Sequence, residues 1–242
     1  MTATITATVT PGTTPPSVTL GYTIFIPGRG SPIWRVQDGV STPVRGTEGG
    51  VWGGGVILDY ECPQETPVTY TFGLGIEEVT SALVEMPDVG VWLIPAGRPE
   101  LAAPLLVQTY PVWGRSAQSW EAVIPGRPNS VVVSSPARSS RRGSMTVMVQ
   151  DRDEFATLDA CLEVTGPMLL SSPAAHYPLE ARALWVVIGD VTEEPVEGDP
   201  LWILTLPLTR VDRPVVVAAE AGHRWVDQVG KWAAQVGTWA QQ

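Results

Sequence analysis

Thr2-Ala-Thr-Ile-Thr-Ala-Thr-Val-Thr10 alternates Ala3, Ile5, Ala7 and Val9 with threonine. That period of two is the pattern of a half-buried strand. Pro11-Gly12 stops it, and Pro15-Pro16 prolongs the break. Working outward, residues 18–26, 34–37, 51–60, 68–74 and 80–86 have the same strand character. Asp38-Gly39 after the second of these is a hairpin-type turn signal, and the 51–60 run contains Gly53-Gly54-Gly55. Short strands at this spacing, punctuated by Gly and Pro, predict a small sandwich of about 90 residues. Tyr70 falls where a tyrosine corner would sit, near the start of the penultimate strand. Pro87-Asp88 marks the expected boundary.

Beyond residue 88 the texture changes. Strands are expected over 91–94, 105–108, 131–134, 144–149, 168–170, 184–191 and 202–208. One helix stands between them. Asp151 or Asp153 can cap it, Phe155, Leu158 and Leu162 share a face, and Gly166-Pro167 is expected to end it. A single helix among many strands predicts a β-rich domain with the helix laid across an opening or an edge.

The end of the chain carries an internal repeat. Trp225-Val-Asp-Gln-Val-Gly-Lys is followed by Trp232-Ala-Ala-Gln-Val-Gly-Thr, and Trp239 begins a third copy. Trp225, Val229, Trp232, Val236 and Trp239 alternate steps of four and three, a heptad seam. Gly230 and Gly237 each cost about 1 kcal/mol of helix propensity. The expectation is an amphipathic helix over 222–242 whose Trp stripe lies against a surface, either its own domain or a neighbouring protein.

Composition narrows the function classes. Among 242 residues, 44% are hydrophobic and only 17% charged, enough for a core and poor for a fully solvated surface. The net charge of −10 argues against nucleic acid, whose phosphates require basic side chains. Lys231 and Asn129 are the sole Lys and Asn, while Gly, Pro and Trp abound, the residue choice of a GC-rich genome. The first residues lack the basic and apolar regions of a signal peptide, and no apolar window of about 18 residues spans a membrane. Cys62 and Cys161 are read as separate thiols in a reducing compartment.

No catalytic, cofactor or metal constellation emerges. His176 and His223 have no triad-like neighbours. There is no Gly-x-Ser-x-Gly elbow. The Gly49–Gly55 run lacks the Lys of a phosphate loop and reads as a bulged strand entry. Glu77-Glu78 and Glu193-Glu194 read as solvated turns. Arg138, Arg141 and Arg142 have two readings, capture of an anion such as a cell-wall phosphate or pairing with carboxylates of the same or a neighbouring subunit. The acidic balance favours pairing. Trp34 and Trp52 could stack on sugar rings, and Trp is equally suited to protein interfaces.

Several stretches resemble one family. Asp59-Tyr-Glu-Cys-Pro-Gln-Glu-Thr-Pro-Val-Thr-Tyr70 resembles a stretch of the fibronectin-III-like modules in minor tail proteins of tailed phages of high-GC actinobacteria. Asp88-Val-Gly-Val-Trp-Leu-Ile-Pro-Ala-Gly-Arg-Pro99 is similar to the junction in those proteins. Ser139-Ser-Arg-Arg-Gly-Ser-Met-Thr-Val-Met-Val149, the helix after it and Gly166-Pro-Met-Leu-Leu170 resemble their distal-tail-like β domain. Leu208-Thr-Arg-Val-Asp-Arg-Pro214 and the Trp heptads are similar to their ending, although Gln-Val-Gly replaces the family's Ala-Asp-Leu.

The resemblance implies a mainly β chain in three parts: a fibronectin-III-like sandwich (1–87), a distal-tail-like β domain with one helix (88–214) and a C-terminal helical tail (215–242). It implies a non-enzymatic structural subunit of a tail tip or baseplate, made in the host cytoplasm without a signal peptide. Its partners would be other tail proteins and copies of itself in a symmetric ring, with no cofactor. The Trp stripe would dock on a neighbouring tail protein, and Arg138, Arg141 and Arg142 would pair between subunits. The competing expectation is an adhesin that binds host cell-wall glycan on an exposed aromatic platform. A cell-wall hydrolase would need a carboxylate or metal site that the sequence does not offer.

Overall fold

The structure is a computed structural model that describes residues 3–23, 30–51, 53–74, 77–122, 131–173, 182–196 and 201–214, with backbone alone at 74, 77, 117–122 and 131–138. The expected C-terminal helix lies outside the described residues.

The protein is mainly β. Its first part contains β1 (Thr4–Thr10), β2 (Ser17–Thr23), β3 (Ile33–Gln37), β4 (Val40–Pro43), β5 (Gly54–Asp59), β6 (Pro67–Leu74), β7 (Glu77–Thr80) and β8 (Val84–Glu85). Strands β1-β2-β5 form one antiparallel sheet and β4-β3-β6-β7 the other, with β8 added to β6. Because the chain returns to the first sheet at β5 and leaves it again at β6, the connection is of the Greek-key kind found in sandwiches. Alternation does the work in β1: Ile5 points into the core while Thr4, Thr6 and Thr8 stay exposed. Leu20, Ile33, Val68, Tyr70 and Phe72 complete the core between the sheets.

The turn at Asp38-Gly39 has positive φ at both residues, 49° and 77°, as a type I′ hairpin requires. Within the glycine run, Gly50 has φ of 85°, and a Cβ there would lie 2.7 Å from the Gly30 carbonyl carbon. Only glycine fits that approach. Gly53 also has positive φ, and the strand begins after it, at Gly54.

The second part contains β9 (Val91–Pro95), β10 (Ala103–Thr109), β11 (Ala117–Ala122), β12 (Val131–Arg138), β13 (Arg142–Val149), α1 (Arg152–Leu162), β14 (Met168–Ser171), β15 (Ala183–Ile188), β16 (Thr192–Pro195) and β17 (Trp202–Arg210). The order β13-β10-β9-β14-β15-β17 closes on itself, because β17 also pairs with β13 along its whole length. The result is a closed antiparallel barrel. β16 extends beside the Trp202 half of β17, and β11-β12 form a separate hairpin. Met145, Val147, Leu204, Leu206 and Leu170 fill the interior. Helix α1 covers one end, burying Leu158 and Cys161 and half-burying Phe155 and Leu162. Asp151 caps it, its carboxylate accepting from the Asp153 and Glu154 amides.

Among the described residues, no strand up to Glu85 pairs with a strand from Val91 onward. The residues that follow β5, Tyr60 foremost, meet the outer wall of the barrel instead. Val91-Trp-Leu-Ile-Pro95 and Met168-Leu-Leu-Ser171 are nearly continuously buried. Leu93 and Leu170 face the barrel core, while Ile94, Leu169 and Trp185 face outward and pack with Tyr60.

The structure corrects several expectations. Glu77-Glu78 and Glu193-Glu194 lie in strands β7 and β16, not in turns; edge pairing needs backbone groups and tolerates exposed carboxylates. The 80–86 run is broken at Ser81, whose hydroxyl accepts from the Tyr70 amide. Helix α1 ends at Leu162 with Glu163 as C-cap, before Gly166-Pro167; Gly166, at φ 119°, serves the turn into β14. The Tyr70 hydroxyl donates to the Asp59 carboxylate at 2.9 Å, which replaces the backbone acceptor of a tyrosine corner.

Candidate functional site

Asp59-Tyr60-Glu61, where β5 ends, organises the seam between the two sheet systems. Buried Asp59 looks back into the sandwich. Arg35 Nη1 donates to both of its carboxylate oxygens, at 2.9 and 2.8 Å, and Tyr70 donates as well. Burial by itself would lower the Arg35 pKa, but the Asp59 charge beside it outweighs this and holds the guanidinium above its ordinary value. Burial, reinforced by the Asp59 charge, pushes the Tyr70 phenol far up.

Tyr60 and Glu61 look the other way, to the barrel. Tyr60 packs among Ile94, Leu169 and Trp185, its hydroxyl 3.5 Å from the Ala96 carbonyl; burial pushes its pKa up to about 12. Glu61, only 3% exposed, accepts from Arg45 Nε at 2.5 Å and from Arg213 Nε at 2.8 Å. Arg213 Nη2 also donates to the Pro43 carbonyl, so the residues after β17 are fastened to the sandwich. The Arg45 guanidinium lies 4.9 Å from the Trp185 ring centre, and its Nη1 and Nη2 have no hydrogen-bond partner. Its face against the indole is what compensates the two orphan nitrogens. Gln64 completes the seam. It donates to Gly90 O and Ser171 Oγ and accepts from the Val89 amide. Arg182 bonds Thr66 and the Glu65 carbonyl.

Of the arginines expected to act together, Arg138 ends β12, Arg142 opens β13 and Arg141 stands between them. The Arg138 side chain lies outside the described residues. Arg142 opens β13 and exchanges backbone bonds with Gly114 at 2.8 and 2.9 Å, and the Arg210 amide donates to the Arg141 carbonyl at 2.8 Å. These bonds bring Arg115, Arg141 and Arg210 to one open mouth of about 670 Å³, with Ser140, Val211 and Asp212. Arg115 and Arg210 carried no sequence signal, because only the barrel closure sets them beside Arg141. Trp34 is 36% exposed and lines a shallow hollow of about 200 Å³ with Thr71, Gly73 and Glu78. A groove of about 500 Å³ runs between α1 and β10-β13, lined by Leu106, Met148, Asp153 and Thr157 among others. Trp225, Val229, Trp232, Val236 and Trp239 lie outside the described residues, as do Trp52, His176 and His223.

Both thiols are free, each in a separate core. Burial pushes Cys62 up to about 12 and Cys161 up to about 11. Among the described residues no group of three His, Cys, Asp or Glu could hold a metal, and no helix is long and apolar enough to cross a membrane. No protein-family model matches the chain, and no curated protein sequence matches it.

Proposed function

We propose that the chain is a structural, non-enzymatic subunit of a phage tail tip or baseplate, made in the host cytoplasm and carried in the virion. It assembles with copies of itself in a symmetric ring and with other tail proteins. One observation carries the reading. The stretches that resemble minor tail proteins are far apart in sequence, yet they meet at the seam: Glu61 holds Arg213, Tyr60 reaches Ala96, and Gln64 holds Gly90. Their order along the chain is thus matched by a shared mechanical task, fixing a sandwich onto a barrel. Such a task suits a building block of an assembly. In this reading the Trp225–Trp239 stripe docks on a neighbouring tail protein, and Arg138, Arg141 and Arg142 pair with carboxylates across subunits.

A second reading is favoured by Trp34, whose exposed indole beside Thr71 and Glu78 has the make-up of a sugar platform. Deleting the coding sequence from its phage separates the two. Loss of complete tails supports the structural subunit. Intact tails that fail to adsorb, reproduced by Trp34→Ala, overturn it in favour of a glycan-binding adhesin.

A further inference from the structure

Strand β5 has a free edge. It pairs with β2 on one side and with no described strand on the other. Alternate backbone amides and carbonyls of such an edge point outward unpaired. Other edges of this protein are blunted. β4 is four residues long and ends in Pro43, β7 begins with Glu77-Glu78, and β16 carries Glu193, Glu194 and Pro195. β1 shows threonine hydroxyls at its exposed positions. β5 has none of these devices. Its Gly54-Gly-Val-Ile-Leu58 run holds no charge and no proline, and Asp59 turns inward to Arg35. Val56 and Leu58 point away from the sandwich core, 68% and 50% exposed. An apolar edge of this kind is a template for one more strand.

The chain itself returns to this edge. β1 packs across β6, β7 and β8, and Arg35 of β3 reaches Asp59, so β5 lies on the β3–β4 side of the sandwich. Arg213 is fastened to that same side, to Glu61 two residues past β5 and to the Pro43 carbonyl that ends β4. The residues after Pro214 are Val215-Val-Val-Ala-Ala219, outside the described residues. They include no charge, glycine or proline, and three successive valines favour a strand. We infer that residues 215–219 add to the free edge of β5 as an antiparallel strand, making β1-β2-β5 a four-stranded sheet. Carrying the Arg213–Glu61 contact forward sets Val216 beside Leu58 and Ala218 beside Val56, so the exposed apolar side chains of β5 gain apolar neighbours. A strand running back along β5 leads away from the barrel, and the Trp225–Trp239 repeat then begins at the far end of the sandwich. The inference does not depend on the tail reading.

The test is made on the full chain. Leu58→Cys with Val216→Cys should form a disulfide within one molecule under mild oxidation. Facing Cα atoms of an antiparallel pair lie about 4.5–5.5 Å apart, inside the range a disulfide spans. Cys62 and Cys161 are buried and do not compete. Hydrogen exchange gives a second readout. The β5 amides that face away from β2 should exchange about tenfold or more slowly in wild type than in Val216→Pro with Val217→Pro, which removes a ladder amide whichever of the two faces β5. Protection of the β6 amides checks that this variant stays folded. A disulfide that links two molecules overturns the own-chain assignment and gives the edge to a second copy. Absence of any disulfide overturns the inference. So do outward β5 amides that exchange at the open-chain rate in wild type, or that stay protected in the proline variant. None of these readouts involves tail assembly, so the tail reading stands or falls separately.

Discussion

Glu61→Ala should be among the most damaging single substitutions in this protein. The wild-type carboxylate neutralises two guanidiniums while itself 3% exposed, and the Arg45 side chain is only 8% exposed. Removing one partner of a buried ion pair costs roughly 3–5 kcal/mol, because the other charge is left without compensation. The two arginines do not share that loss equally. Arg213 is 26% exposed and keeps its bond to the Pro43 carbonyl, so water recovers much of its share. Arg45 has no such recourse: its Nη atoms already lack partners, and only the Trp185 face remains, worth about 0.5–2 kcal/mol. The expected loss is therefore about 3–4 kcal/mol, nearly all of it through Arg45. Urea denaturation followed by tryptophan fluorescence measures it, with Trp92 and Trp185 both at the seam. Arg45→Met with Glu61→Met removes both charges and should recover most of the loss. A Glu61→Ala protein within about 1 kcal/mol of wild type, or a double variant worse than the single, would refute the reasoning.

Two further outcomes follow from buried groups. Cys62 and Cys161 should resist thiol reagents at pH 8 in the native state and react fully in denaturant, since their folded pKa values lie at about 12 and 11 against 9.0 when unperturbed. The same shifts fix a pH dependence: above pH 9 the unfolded chain releases thiol protons that the folded chain keeps, so stability falls from about pH 9 up to 11–12; a melting temperature flat across that range would refute it. Asp151→Ala removes the cap of α1, whose carboxylate serves two amides, and should cost about 1 kcal/mol by the same denaturation.

Local rules carried much of the fold. The Thr-x-Thr alternation of β1, the Asp38-Gly39 turn and the Asp151 cap are each decided within a few residues. Strands β4, β11 and β16 carry no strand pattern in sequence because edge and hairpin strands need few apolar residues; Thr192-Glu-Glu-Pro195 has none, and it pairs only because β17 offers a free edge. Barrel closure was equally invisible. It depends on β17 meeting β13 across a long separation, and no local pattern encodes which two edges will join. The site divides in the same way. Asp59, Tyr60 and Glu61 stand out in sequence only as part of the stretch that resembles a known family, and their opposite directions come from Asp59 still alternating inward at the end of β5 while Glu61 lies beyond it. Arg141 belongs to a basic cluster legible in sequence, and its companions Arg115 and Arg210 arrive through the pairing of β17 and the Gly114 bridge.

The seam combines two kinds of contact with different consequences. Ile94, Leu169, Trp185 and Tyr60 supply apolar burial, which is non-directional and would tolerate rotation of the sandwich on the barrel wall. The polar groups remove that freedom. Gln64 spends both ends of its amide on three partners, and Glu61 ties Arg45 of the sandwich to Arg213 beyond β17, so a small rotation breaks several bonds at once. Buried ion pairs seldom add net stability over apolar packing, so their worth here is orientation. The double Met variant separates the two terms. It should keep most of the stability and lose the fixed angle, read as a broader distance distribution between one spin label on β1 and one on β16. An unbroadened distribution would mean that apolar shape alone sets the orientation.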